Sequence, residues 1–341
     1  MMKTKSAYRV GVVGIGAVGS EMVKILRERN FPAEEILILA RSAREEVIEG
    51  ERYQVVAASE AAFEGLDFAF FAGTEGSKGA SQLYGWPAAE RGVIVIDNGG
   101  DFRMDPRVPL VVPEVNPEAL ENHQNVIANP NCSTIIALMA LGPLHRAFGI
   151  TRIVASTYQS VSGSGSGAIT ELETQITQYA GRQDITANEY PHQILLNLLP
   201  QIGGLKDDMP GYTSEEAKML FETRKILGDD AIQVSATCVR VPVFYGHAES
   251  INIECREPVT PEAARDVLAK ARGVQVVDDV EAAVYPMPID VAGKDDVTVG
   301  RIRKDPSCDN GLAIYVAGDN IRKGAALNAI QIGEELIRRA Q

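Results

Sequence analysis

Short apolar runs open the chain and return at regular intervals. Tyr8-Arg9-Val10-Gly11-Val12-Val13 predicts a buried strand, and 36–40, 66–71 and 93–97 predict three more. Stretches with helical spacing lie between them, over 20–29 and 77–91. Nearly continuous hydrophobic strands alternating with helices predict βαβ units around a parallel sheet. After Cys132 the texture changes. Residues 135–148 predict a helix and 152–158 a strand, and a Ser/Gly loop over 160–167 precedes a polar helix. Later strands at 232–243, 249–256, 297–303 and 312–317 alternate in part, which predicts a mixed or antiparallel sheet with one face solvated or covered by a partner. The tail, 324–339, has apolar residues at helical spacing and is expected to pack back on the first domain.

Composition acts mainly by exclusion. Lys and Arg number 33 against 46 Asp and Glu, a formal net charge of −13, which repels nucleic acid and anionic membranes. An anionic substrate would then need a local cationic pocket. No apolar run is long enough to cross a bilayer. The N-terminus, residues 1–6, has no signal-peptide core, so a cytoplasmic protein is expected. The four cysteines (Cys132, Cys238, Cys255, Cys308) are scattered without a C-x-x-C pair, which argues against a metal site and against a disulfide framework.

Gly14-Ile15-Gly16-Ala17-Val18-Gly19 matches G-x-G-x-x-G between a strand and a helix. Glycines let the backbone approach a pyrophosphate, and the helix N-terminus offers N–H groups to it. The expected fold is α/β: a Rossmann-type dinucleotide-binding domain over 1–131, joined by the C-terminal helix 320–341, plus an α+β domain with a mixed sheet over 132–319. An acid at the end of the second strand would hold a free ribose 2′-hydroxyl. Arg41 and Ser42 stand there instead, with Arg44 close behind, which favours NADP(H). The alternative is that these arginines are solvated loop charges, with Glu45 and Glu46 beside them.

Asn129-Pro130-Asn131-Cys132-Ser133-Thr134 sits immediately before a helical run. A helix N-terminus favours the thiolate, which makes Cys132 the candidate nucleophile. Cys238, Cys255 and Cys308 read as apolar fillers. Of the four histidines, His247 ends a strand next to a Gly turn, a place from which an imidazole can serve as acid or base. Taken alone, that position leaves a structural role open.

Several segments together resemble the aspartate-semialdehyde dehydrogenase family. They are the glycine loop, Asn129 to Thr134, Tyr158-Gln159-Ser160-Val161-Ser162-Gly163, Arg240-Val241-Pro242-Val243 with Gly246-His247, and Asp319-Asn320-Ile321-Arg322-Lys323-Gly324-Ala325-Ala326. Phe102-Arg103-Met104-Asp105, Val111 to Asn116 and Glu215-Glu216-Ala217-Lys218 match as well, in the family's order and across nearly the whole chain. The resemblance implies Cys132 as nucleophile, His247 as general acid/base and Gln159 as a positioning group. It implies Arg240 on the substrate α-carboxylate, Glu215 on the α-ammonium, and Arg103, Lys218 and Asn131 on phosphate. It also implies NADP contacts from Gly14, Gly16, Ala17, Val18, Gly19, Arg41, Ser42, Ser162, Gly163 and Asn320. The implied activity is reversible reduction of β-aspartyl phosphate to the semialdehyde by a homodimer whose second domain is catalytic, in biosynthesis of lysine, threonine and methionine. The chain departs from the family at Val13, which replaces a glycine, at Gly14-Ile15 in place of Ala-Thr, and at Gly99-Gly100-Asp101. Pro130-Asn131-Cys132-Ser133-Thr134 also differs from the Pro-Gly-Cys-Tyr-Pro-Thr loop of N-acetyl-γ-glutamyl-phosphate reductases, the nearest rival. A non-catalytic paralogue is a second rival, against which stand Cys132, Gln159, Arg240 and His247.

Overall fold

The computed structural model describes residues 4–73, 76 and 78–341. Residues 1–3, part of the terminus read for a signal peptide, and Ser77, the expected start of the second helix, lie outside the described residues. The chain divides into two compact units, Met1–Asn131 with Ala325–Gln341, and Cys132–Gly324.

The first unit contains β1 (Tyr8–Val13), α1 (Ala17–Glu28), β2 (Ala33–Ala40), β3 (Arg44–Ile48), β4 (Glu51–Ala57), β5 (Phe68–Phe71), α2 (Ala80–Glu90), β6 (Ile94–Asp97) and β7 (Val126–Ala128). Its sheet runs β3-β4-β2-β1-β5-β6-β7 and is parallel except for the β3–β4 pair. The order reverses at β1, so a crevice opens beyond the carboxyl end of that strand, the usual ligand position in such sheets. Val10, Val12, Met22, Ile25, Phe68, Phe70 and Ile96 build the core, which the C-terminal helix Leu327–Ala340 completes with Leu327, Ile330 and Leu336. The β3–β4 hairpin was not expected from the sequence. Its strands expose most of their residues, so they carry little hydrophobic period, and only Glu49-Gly50, both at positive φ, marks the tight turn.

The second unit runs through α3 (Cys132–Phe148), β8 (Ile150–Gln159), α4 (Ser166–Ala180), β9 (Leu205–Lys206), β10 (Met209–Thr213), α5 (Ser214–Leu227), β11 (Gln233–Arg240) and β12 (His247–Cys255). It continues with α6 (Pro261–Leu268), β13 (Val274–Val276), α7 (Pro288–Val291), β14 (Val297–Lys304) and β15 (Gly311–Gly318). Six of its strands form a mixed sheet ordered β11-β8-β12-β15-β14-β13, as the partial alternation predicts. Inward residues of β8 from Ile153 onward and of β12 from Glu249 onward alternate with half-buried ones on the other face. The inward set is apolar at one end (Ile153, Ala155, Ile251, Ile253) and polar at the other (Thr157, Gln159, His247, Glu249). That switch from apolar to polar locates the chemistry.

Candidate active site

Helix α3 begins at Cys132, three residues earlier than its apolar pattern suggests, so the thiol belongs to the first turn. His247 is the first residue of β12 and follows Gly246. That glycine has φ +86°, and a Cβ on it would lie 2.7 Å from the Pro288 carbonyl oxygen, so only glycine fits the turn. Cys132 Sγ and His247 Nε2 are 3.4 Å apart. The ring is fully buried, and its other face of hydrogen bonding is fixed: the Ser160 backbone N–H donates to Nδ1 at 3.1 Å. A backbone N–H can only donate. Nδ1 must therefore accept, and the neutral imidazole carries its proton on Nε2, facing the sulfur. Burial first, and the Arg240 guanidinium second, hold His247 well below the ordinary histidine range. Ser160 Oγ lies 3.0 Å from Nδ1 and donates to Asn320 Oδ1 at 3.0 Å, and Asn320 Oδ1 also accepts the Gly246 N–H at 3.0 Å. Asn320 Nδ2 donates to Ser162 Oγ at 3.0 Å. Asn320 and Ser162, expected at the cofactor, thus also brace the loop that seats His247.

Gln159 ends β8, level with Arg240 at the end of β11. Thr157 Oγ1 donates to Gln159 Oε1 at 2.9 Å, and Gln159 Nε2 donates to Glu215 Oε1 at 3.1 Å, which fixes the amide orientation. Lys218 Nζ, one turn along α5, is 3.4 Å from Glu215 Oε2. Glu216 does a different job. It closes a capping box with Thr213 and accepts the Cys238 N–H at 3.2 Å. Arg240 is buried, donates Nη1 to the Ser160 carbonyl at 2.8 Å, and has no partner at Nε. A buried guanidinium with donors to spare is suited to a carboxylate. Gly163 gives it room: a Cβ there would lie 2.9 Å from Arg240 Nη1 and 3.3 Å from His247 Nε2. Cys132, Gln159, Glu215, Lys218, Arg240 and His247 are therefore joined within one unit through short contacts and shared strands.

The remaining expected residues belong to the first unit. Arg103 is buried and donates to the carbonyls of Asn129 (2.9 Å) and Asn98 (2.8 Å). Asn131 is buried immediately before Cys132. Asp101 accepts the Gly76 N–H at 3.1 Å. At the glycine turn, Gly14 has φ +97°, and a Cβ on Gly19 would sit 2.0 Å from the Gly14 carbonyl oxygen. Space above Gly16 is open, and α1 starts at Ala17 without a side-chain cap or an acid in its first turn, leaving N–H groups for an anion. Arg41 and Ser42 are exposed at the end of β2. Nearby acids are matched elsewhere, Glu46 with Arg44 at 2.6 Å and Glu45 with Arg52 at 2.9 Å, whereas Arg41 has no ion pair among the described residues. These residues fit a pyrophosphate and a 2′-phosphate.

Thr157 and Glu249 went unnoticed in the sequence, although polar residues at inward positions of an alternating strand were a usable signal; Ser160 was read only as part of a loop, because nothing local marks its contact with His247. Cys238 is buried, and burial pushes its thiol upward. Burial, with the Cys308 thiol nearby, pushes Cys255 up to about 11. Cys308 itself is part-exposed in the β14–β15 connection, so it is no buried filler. Among the described residues no cluster of acids, His and Cys is arranged to hold a metal, and no helix is long and apolar enough to cross a membrane.

Two family models match the chain: "Semialdehyde dehydrogenase, NAD binding domain" over residues 9–123 and "Semialdehyde dehydrogenase, dimerisation domain" over 141–323. The chain is 49% identical over 341 residues to the aspartate-semialdehyde dehydrogenase of Aquifex aeolicus, covering 97% of this chain and 98% of that one. It is 45% identical to that of Bacillus subtilis, with 96% of each covered. Among solved structures it is similar to aspartate semialdehyde dehydrogenase II of Vibrio cholerae complexed with ASA, at TM-score 0.92 and 44% identity, covering 98% of this chain and 99% of that one.

Proposed function

The chain belongs to the aspartate-semialdehyde dehydrogenase family, an enzyme family of aspartate-derived biosynthesis, and we propose that it reduces β-aspartyl phosphate to aspartate β-semialdehyde, reversibly, with NADPH. The observation that carries this reading is the 3.4 Å approach of Cys132 Sγ to a His247 Nε2 whose proton faces the sulfur. The Cys132 thiolate, stabilised by that N–H, attacks the acyl carbon. A C–S bond forms, the C–O bond to phosphate breaks, and the departing phosphate keeps the electron pair. Covalent capture divides one difficult step into two easier ones. When bound, the cofactor supplies the hydride that lowers the acyl carbon to the aldehyde level. Nε2–H steadies the negative oxygen of the resulting hemithioacetal, which expels Cys132 and releases the aldehyde.

Arg240 would clamp the α-carboxylate through its spare donors, and Glu215 the α-ammonium. Arg103, Lys218 and Asn131 are proposed for phosphate. Gly14, Gly16, Ala17, Val18 and Gly19 are proposed to cradle the pyrophosphate, with Arg41 and Ser42 at a 2′-phosphate and Ser162, Gly163 and Asn320 contributing further cofactor contacts. We further infer a cytoplasmic homodimer serving lysine, threonine and methionine synthesis. The test is phosphate-dependent reduction of NADP+ with aspartate semialdehyde. Wild type should turn over and Cys132→Ser should not, while still binding NADPH. Full activity in Cys132→Ser would sink the mechanism.

A further inference from the structure

Asn129 and Asn328 are fully buried in the first unit, 199 positions apart, and their side chains meet. An amide sealed from water must find its hydrogen-bond partners inside the protein. Backbone carbonyls, which can only accept, stand at either end of this pair and fix the orientation of both groups. Asn328 Nδ2, in the first turn of the C-terminal helix, donates to the Val111 carbonyl at 2.9 Å and to Asn129 Oδ1 at 2.6 Å. Asn129 Nδ2 donates to the Ala325 carbonyl at 3.2 Å and to Asn98 Oδ1 at 2.6 Å. Each amide thus spends both hydrogens, and donation runs from Asn328 through Asn129 to Asn98. The chain of bonds bears on Arg103, whose Nε donates to the Asn129 carbonyl and Nη2 to the Asn98 carbonyl. The two carbonyls that grip the guanidinium edge therefore belong to the two residues that a side-chain bond ties together. Their backbones are anchored in turn, the Asn129 N–H on the Asp97 carbonyl at 2.7 Å and the Asn98 N–H on the Phe71 carbonyl at 3.0 Å. Two donors on two fixed acceptors set the plane of a guanidinium as well as its position.

We propose that Asn328 is a positioning residue for phosphate: by holding the Asn129 amide it fixes the spacing of the Asn129 and Asn98 carbonyls, and so the aim of the Arg103 guanidinium. The inference rests on reading Arg103 as a phosphate ligand. A planar fork recognises a pair of phosphate oxygens only in the right orientation, so a tilt of the guanidinium weakens phosphate above all. Without the Asn328 donors, Asn129 Oδ1 is left buried and unpaired. The Asn129 side chain then turns toward another donor, its bond to Asn98 breaks, and the two carbonyls are no longer held at one spacing. The bonds that seat His247 come from Ser160 and Asn320 and do not pass through this network. Losing Asn328 should therefore separate phosphate binding from the chemistry at Cys132.

A double-mutant cycle on the full chain tests it, read as steady-state NADP+ reduction with aspartate semialdehyde and inorganic phosphate. Asn328→Ala should raise KM for phosphate about tenfold, with KM for the aldehyde and kcat at saturating phosphate changed less than about twofold. Asn328→Ser, which keeps one donor toward Asn129 and leaves a smaller void, should fall between wild type and Asn328→Ala, and it carries the test if Asn328→Ala does not fold. Because Asn328 acts through Arg103, adding Asn328→Ala to Arg103→Ala should change the phosphate KM by less than about twofold beyond Arg103→Ala alone. Combined with Lys218→Ala, which lies outside the network, its effect should multiply in full. A folded Asn328→Ala with the wild-type phosphate KM, while Arg103→Ala raises it, overturns the proposal. So does a full further tenfold rise in the Arg103→Ala background, or an equal rise in KM for phosphate, aldehyde and NADP+, which marks general loosening of the fold. A wild-type phosphate KM in Arg103→Ala would instead defeat the reading of Arg103 as a phosphate ligand, and the proposal with it.

Discussion

A single methyl group at Gly163 should disable the site. The position has an ordinary backbone conformation, so Gly163→Ala tests space alone. The new Cβ would lie 2.9 Å from Arg240 Nη1, 3.2 Å from His247 Cε1 and 3.3 Å from Nε2, where ordinary contacts begin near 3.4 Å. The guanidinium must recede by about half an ångström, and the ring by about two tenths. Neither can do so freely. Arg240 is held to the Ser160 carbonyl at 2.8 Å, and His247 Nδ1 to the Ser160 N–H at 3.1 Å. Overpacking of this kind costs about 1–3 kcal/mol, which for a domain of this size lowers Tm by roughly 2–4 °C per kcal/mol. Catalysis should suffer more, because misplacing reacting groups by up to an ångström costs about 10- to 100-fold. The assay is steady-state NADP+ reduction with aspartate semialdehyde and phosphate, alongside a thermal melt. We expect kcat to fall by that factor with the protein still folded. If Gly163 served only the cofactor, KM for NADP+ would rise at unchanged kcat, and that outcome would refute the packing argument.

Three other expectations follow from the same geometry. Wild type should prefer NADP+ over NAD+, and Arg41→Ala, which removes an exposed cation with no ion pair, should narrow the ratio of kcat/KM values about tenfold; comparable values for both cofactors in wild type would show that Arg41 reads no phosphate. Glu215 should make the enzyme reject N-acetyl-glutamate semialdehyde by roughly two to four orders of magnitude, since its carboxylate would face a neutral amide, and Glu215→Gln should shrink that gap; equal use of both aldehydes by wild type would end the assignment. His247 has a folded pKa below its ordinary 6.5, so the unfolded chain binds the extra proton first and stability falls as pH drops below that value. The loss is about 1.4 kcal/mol per pH unit until the folded ring titrates, and His247→Asn should lack it. Parallel Tm-against-pH curves for the two proteins would contradict a buried neutral imidazole.

What the sequence determined by itself was local. An apolar run followed by glycines at fixed spacing specifies strand, tight turn and helix, because each depends on residues a few positions apart; Gly14 and Gly19 have no other residue that would fit. The start of an apolar helix likewise pointed to Cys132, and the partial alternation of later strands to a mixed sheet. The β3–β4 hairpin escaped, because strands with few buried positions leave little periodic trace. Tertiary structure decided the rest. His247 lies 115 positions from Cys132, and its tautomer depends on the backbone N–H of Ser160, a donor that every residue but proline carries. Glu249 looks in the sequence like any acid in a strand, and becomes a fully buried one only when β8 and β15 pair on either side of it. Spacing along a chain encodes what neighbours do to one another, whereas the rows that make this site are set by strand register, which joins residues the sequence keeps far apart.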